Sequence, residues 1–221
     1  MIKLINADCL KVDIPKCRLL FTDIPYEEVN RSDNGLRNLN KDKADEKTFE
    51  ILPFLNHIYD SFDICIIFCG YNQISEIFNY FNDKQKSRKG TVRLLTWCKS
   101  NPSPMNGEYV YLSGTETAIW FKKKNTGKMN SKCKKNFFIH ATGSSKFHPT
   151  EKNHKLLEEL MLDNTNENDL IVDVCMGSGS TGIVALKNKR HFLGIELDEN
   201  YFNIAKKRIE EVQNDIHNNK W

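Results

Sequence analysis

Residues 172–182 read VDVCMGSGSTG, an apolar run that breaks into three glycines, Gly177, Gly179 and Gly182, at G-x-G-x-x-G spacing. Glu196 ends the next apolar run about twenty residues on, at the distance where a dinucleotide fold places its ribose acid. Glycine lets a backbone approach a ligand closely, and a carboxylate at the end of the second strand can accept hydrogen bonds from two ribose hydroxyls. The order strand, glycine turn, helix and acid therefore predicts an adenosine-type cofactor held by Gly177, Ser178, Gly179, Ser180, Thr181 and Glu196. A glycine turn used only for helix–sheet packing is the plainer alternative. Only about forty residues follow the motif, too few for the second half of an NAD-binding sheet. The N-terminal strands can complete the sheet instead, which makes the chain a circular permutation of a doubly wound fold.

Working outward, 221 residues at 39% hydrophobic content suit one domain with a buried core. A formal net charge of +3 gives no global basic field, so any nucleic-acid surface must come from local clustering. The seven cysteines form no C-x-x-C pair and several sit inside apolar runs, the pattern of free thiols in a reducing cytosol. No metal site is expected: His140, His148 and His154 lack ligand companions. The N-terminus lacks a signal-peptide core and no apolar run reaches about 18 residues, so a cytoplasmic protein without a membrane span is expected.

Short, mostly continuous apolar runs predict seven strands at 2–5, 18–22, 63–69, 91–97, 116–121, 170–175 and 191–196. Helical periodicity falls between them at 45–62, 72–83, 154–162, 181–189 and 199–216. In the last helix Tyr201, Ile204, Ala205, Ile209, Val212 and Ile216 share a face expected to be core, and Asp198 is the expected cap. The alternation predicts an α/β fold with a mostly parallel sheet covered on both sides. Residues 27–44 are polar and read as a long loop.

A second signal is expected at the carboxyl end of another central strand, where ligands of such sheets bind. RLLFTDIPY, residues 18–26, supplies it. Asp23 leaves the strand, Pro25 restrains Ile24 to an extended conformation, and Tyr26 offers an aromatic plate. A carboxylate, a restrained carbonyl and a ring can together grip a planar base that carries an exocyclic amine.

At this point the chain resembles the β-class amino-methyltransferases of DNA, in which a D/N/S-P-P-Y motif precedes the cofactor loop. INADCL (5–10), FTDIPY, TWCKSNPSP (96–104), GTETAIWFKK (114–123), FHPTEKNHKLLEEL (147–160), DVCMGSGSTG (173–182) and GIELDENYFNIAKKRI (194–209) are similar to the family's motifs in β-class order. The resemblance implies a Rossmann-like fold and S-adenosyl-L-methionine as cofactor. That cofactor would be bound by Asp8 and Cys9, by Thr150 and Lys152 of the HPTxKP-like segment, and by Asp173 with the glycine loop. It also implies catalysis by Asp23, Ile24, Pro25 and Tyr26. Asp23 and the Ile24 carbonyl would accept the hydrogens of the target amine, and Tyr26 would stack on a base flipped out of the duplex. Ile24 stands where the family usually has proline, and Asn153 stands in place of the proline after Lys152. Asn153 can still cap the helix that follows.

Residues 122–135 hold seven lysines and no acid. By the resemblance, target recognition resides in this region, here 122–147, and Lys122, Lys123, Lys124, Lys128, Lys132, Lys134 and Lys135 are candidate DNA contacts. A solvated loop is the plainer alternative. The segment is short for a recognition domain, which leaves room for a homodimer. The leading expectation is site-specific methylation of adenine N6 in DNA, because the motif acid is Asp. The alternatives are cytosine N4, RNA or a protein amide, an NAD oxidoreductase, and a non-catalytic nucleic-acid-binding module.

Overall fold

The computed structural model describes residues 1–26, 49–104, 107–143 and 152–218. The polar stretch 27–44, His148, Thr150 and residues 144–147 of the lysine-rich region lie outside them. In chain order the elements are β1 (Ile2–Asn6), β2 (Cys17–Asp23), α1 (Ile51–Ile58), β3 (Phe62–Cys69), α2 (Ile74–Lys86), β4 (Gly90–Lys99), β5 (Thr115–Lys123), β6 (Phe137–His140), α3 (His154–Asn164), β7 (Leu170–Asp173), α4 (Ser180–Lys187), β8 (His191–Glu196) and α5 (Glu199–His217).

Continuous apolar runs become strands buried on both faces because side chains alternate across the sheet. In β3, Ile64, Ile66 and Phe68 join one core layer with α3, α4 and α5, while Cys65, Ile67 and Cys69 join the other with α1 and α2. β2 splits the same way, Leu19 and Phe21 to one side and Leu20 to the other.

The strands form one sheet in the order β1-β8-β7-β2-β3-β5-β4-β6. All pairings are parallel except those of β5, which runs antiparallel to both β3 and β4. β1 closes onto β8 with Asn6 opposite Glu196, so the N-terminal strand completes the sheet beyond the glycine motif, as the circular-permutation argument requires. From β7 the chain moves outward through α4 to β8, and from β2 it moves through α1 to β3 in the other direction. The crevice between β7 and β2 is therefore the topological switch point, where ligands of open α/β sheets bind.

Three expectations need correction. The described sheet has eight strands rather than seven, because β6, FFIH, falls inside the region assigned to target recognition. Its four residues are as apolar as the IKLI run at 2–5, but they lie in the stretch that the resemblance gives to target recognition. The helix expected over 45–62 is α1 at Ile51–Ile58; it stops early because the Ser61 backbone N–H and hydroxyl both donate to the Ile58 carbonyl, at 2.9 and 2.7 Å. On α5, Ala205 and Ile209 are buried and Phe202 and Val212 pack against the core, but Ile216 is exposed.

Candidate functional site

Parallel strands align their carboxyl ends, and that end of the sheet collects most of the motifs. β1 leads to Asp8, β2 to Asp23, β7 to the glycine turn and β8 to Glu196, while antiparallel β5 enters with Thr115 and Glu116.

On the glycine side, Gly177 and Gly179 adopt φ of +50° and +84°, values that favour glycine. A Cβ at Gly177 would meet nothing within 4 Å, so this turn faces open space where a ligand can approach. Gly182 serves packing instead. A Cβ there would fall 2.6 Å from the Phe192 ring and 2.8 Å from Ile209, so its absence lets α4 press onto β8 and α5. Glu196 is buried, accepting from the Gly177 N–H at 2.8 Å and from the Asp198 N–H at 2.9 Å; burial, only partly offset by these bonds, raises its pKa. Ser178 is held by Arg208, whose guanidinium donates to its carbonyl and hydroxyl at 2.7 and 2.8 Å.

Asp173 lies wholly inside the fold. It accepts from the Thr22 hydroxyl at 2.9 Å and the Cys175 N–H at 3.2 Å, and burial pushes its pKa up to about 7 against these bonds and one from Thr181. It ties β7 to β2 and shapes the turn from behind. Asp8 caps the short 3-10 turn Cys9–Lys11, accepting from the Leu10 N–H at 3.1 Å. Cys9 is hydrogen-bonded to Cys175 beneath the turn; that bond holds the Cys9 thiol below its ordinary pKa and, together with burial, raises Cys175.

On the other side of the crevice, Ile24 is buried and its N–H donates to the Phe68 carbonyl at 3.2 Å, so the strand geometry runs on past Asp23. The buried Gln73 side chain donates to the Pro25 carbonyl at 2.8 Å and accepts from the Gly70 N–H at 2.9 Å, clamping the motif to the end of β3. Burial and the neighbouring Asp23 raise the Tyr26 pKa far above its ordinary value, keeping the phenol neutral.

Lys152, a residue expected at the cofactor, stands against the DIPY motif. Its buried ammonium lies 2.7 Å from Asp23 Oδ2 and 2.7 Å from Glu116 Oε2, and it donates to the Tyr26 hydroxyl at 3.1 Å. It also sits 5.2 Å from the Tyr26 ring centre and 5.0 Å from that of Phe68. Burial opposes the charge, but Asp23, Tyr26 and Glu116 outweigh it and keep the lysine protonated. Glu116 is paired in turn with Lys99 at 2.9 Å, and the two lysines overcome burial to lower its pKa. Asp23 Oδ1 is buried and has no hydrogen-bond partner among the described residues.

Sequence reasoning missed Glu116, Lys99 and Gln73. Glu116 offered one signal, an acid within an apolar strand, but its partners lie 17 and 36 residues away and only the fold brings them together.

The lysines divide. Asp23 pairs with Phe68, and Phe68 with Ala118, so Lys122 lies four residues further along β5, about 13 Å toward the opposite end of the sheet. Lys122, Lys123 and Lys124 border a shallow cleft there with Arg88. Lys134 is engaged by Glu159 at 2.8 Å and Asp163 at 3.2 Å. His140 bonds Glu159 at 2.7 Å, the local role expected of it. Lys128, Lys132 and Lys135 are exposed, and Lys135 precedes β6, whose first residue pairs with Thr96 near the Asp23 end of the sheet. At that same end the β4–β5 connection carries Tyr109, Val110 and Tyr111 at 84%, 61% and 102% exposure, a feature not anticipated from the sequence. No helix among the described residues is long and apolar enough to cross a membrane.

The chain is similar to known proteins in sequence and in fold. The Type II methyltransferase M2.LlaDCHI of Lactococcus lactis subsp. cremoris is 36% identical over 132 residues, covering 52% of this chain and 49% of that protein. M2.DpnII of Streptococcus pneumoniae is 33% identical over 139 residues, covering 52% and 50%. The matches thus span about half the length of these curated relatives. The crystal structure of an M1.HpyAVI–SAM complex superposes with a TM-score of 0.72 at 27% identity, covering 94% of this chain and all of that one. PvuII DNA methyltransferase, described as cytosine-N4-specific, shares the fold with a TM-score of 0.69 at 18% identity, covering 98% of this chain and 93% of that one. A family model described as DNA methylase, N6_N4_Mtase, matches residues 17–207, and the chain belongs to that family.

Proposed function

We propose that this protein transfers a methyl group from S-adenosyl-L-methionine to the exocyclic amine of a base flipped out of DNA, with adenine N6 as the target. The observation that carries this reading is the state of Asp23: one carboxylate oxygen is engaged by Lys152, while the other is buried and unpartnered among the described residues, beside an aromatic ring at the switch point. Such an oxygen is a ready acceptor for an amine hydrogen.

The residues present fit the cofactor. The Gly177 turn is open to a close backbone approach, and Glu196 sits beneath it with its carboxylate held by two backbone N–H groups. When bound, the cofactor supplies an electrophilic methyl on a sulfonium. Asp8 and the backbone of Gly177, Ser178, Gly179, Ser180 and Thr181 are the proposed contacts along this side, and Asp173 supports the turn from within.

The protein's chemical problem is the amine. Its lone pair is delocalised into the ring, so it attacks poorly until hydrogen bonds favour a tetrahedral nitrogen. Asp23 Oδ1 and the Ile24 carbonyl provide acceptors fixed before the reaction, and they stabilise positive charge as it develops on nitrogen. Tyr26, kept neutral, offers its ring to the extruded base. The amine of a paired base is out of reach inside a duplex, which makes flipping a requirement.

Incubation with S-adenosyl-L-methionine and unmethylated genomic DNA, digestion to nucleosides and mass spectrometry should yield N6-methyladenine, absent with Asp23→Ala. N4-methylcytosine would reassign the base. Cofactor binding with neither product would refute DNA as the substrate.

A further inference from the structure

Four charged groups at the Asp23 end of the sheet form a chain of alternating sign: Lys99, Glu116, Lys152, Asp23. Successive separations are 2.9, 2.7 and 2.7 Å, and Lys152 at their centre is only 7% exposed. Burying an ammonium is costly unless it is closely paired, and here the partner on one side is the proposed catalytic acid. Among the described residues the contacts of Lys152 are with Asp23, Glu116, Tyr26 and Phe68, none of them at the glycine turn.

We propose that Lys152 and Glu116 are positioning residues for methyl transfer. Lys152 occupies Asp23 Oδ2, which fixes the carboxylate plane and leaves Oδ1 to the amine, while Glu116 fixes the lysine. The proposal rests on the reading of Asp23 given above.

A purely structural lysine would differ from this one in how the site responds to its removal. Without the ammonium, Asp23 and Glu116 become two neighbouring carboxylates in a semi-buried site, and such a pair holds a proton in common. A shared proton turns Asp23 from acceptor to donor during part of its time. Among the described residues the other ionisable groups facing Asp23 are Tyr26, Cys69 and Asp173, all with raised pKa values. Tyr26 and Cys69 stay neutral, and none of the three can replace the positive charge. Asp173 titrates near 7 in the intact protein as well, so the pH profile of each variant is read against that of the intact protein.

The test compares the intact protein with Lys152→Met, Lys152→Arg, Glu116→Gln and the double variant Glu116→Gln/Lys152→Met. S-adenosylhomocysteine affinity is measured by calorimetry, and kcat and KM for duplex DNA are measured from pH 6 to 9. The expected result is unchanged S-adenosylhomocysteine affinity in every variant. For Lys152→Met, kcat falls about 100-fold, the scale of losing one preorganised electrostatic partner, with little change in KM. The Lys152→Met rate climbs with pH as the shared proton leaves. The double variant recovers activity over Lys152→Met and loses that pH dependence, and Lys152→Arg retains more activity than Lys152→Met.

Loss of S-adenosylhomocysteine binding in Lys152→Met would return the lysine to the cofactor and overturn the proposal. So would an unchanged kcat, or a double variant no better than the single. An intact protein that methylates no DNA sinks the proposed function and this proposal together, whereas an active one with an insensitive Lys152 sinks only the proposal.

Discussion

Asp173 shows how one side chain can be both conspicuous in the sequence and hidden in function. It opens the glycine motif, yet the fold buries it and gives its oxygens to Thr22 and the turn, raising its pKa to about 7. The folded state therefore binds a proton that the unfolded chain, with its carboxyl near 3.8, has already released at neutral pH. That contribution to stability is full below the unfolded value and is lost as pH rises through about 7. Thermal melts of the intact protein should fall over pH 5–8 relative to Asp173→Asn, whose side chain is neutral throughout. A difference that stays constant with pH would contradict the assignment. Glu196, raised by burial, adds to the same trend.

At the scale of elements, glycines of one motif do unlike work. Gly182→Ala drives a Cβ into Phe192 and Ile209 where α4, α5 and β8 meet, an overpacking that costs about 1–3 kcal/mol and lowers the melting temperature. Gly177→Ala meets no neighbour but strains a backbone held at φ +50°, so it should cost about 1 kcal/mol of stability without any clash and also lower S-adenosylhomocysteine affinity, measured by calorimetry. Helix α3 begins at an Asn153 cap whose side chain accepts from the Lys155 and Leu156 N–H groups at 2.8 and 3.3 Å. Asn153→Ala should cost about 1 kcal/mol in denaturant unfolding. The same cap sets the approach of Lys152 to Asp23, so asparagine starts the helix at a position where the family usually has proline.

For the whole molecule, the proposed function raises the question of which end of the sheet would meet nucleic acid. The Asp23 end carries the exposed Tyr109 and Tyr111 and the approach to β6; the far end carries Lys122, Lys123 and Lys124. Aromatic side chains can stack on bases or enter the space left by a flipped one. Tyr109→Ala/Tyr111→Ala should therefore weaken binding to duplex DNA, measured by fluorescence anisotropy, while Lys122→Ala/Lys124→Ala leaves both affinity and salt slope nearly unchanged. A lysine that neutralises one phosphate contributes about 0.9 to the log–log salt slope, and its removal flattens the slope by that amount. A larger flattening from the far-end pair than from Lys135→Ala would place DNA along the cleft beside Arg88 instead.

The sequence by itself determined the α/β alternation, the early strand that completes a late cofactor loop, and the DIPY and glycine motifs. Each of these is written in neighbouring residues through periodicity, glycine spacing or proline restraint, so each is legible without a fold. The helix caps at Asp198 and Asn153 were legible for the same reason. Only the tertiary structure decided the partners of the charged groups. The resemblance of its motif implies a role for Lys152 at the cofactor and is silent on Asp23, to which the fold brings it across 129 residues of chain. Glu116 and Lys99 join the site, and the lysine run divides between two ends of the sheet, because strand register sets those distances. Ionic pairs act through space, with no period in sequence to announce them.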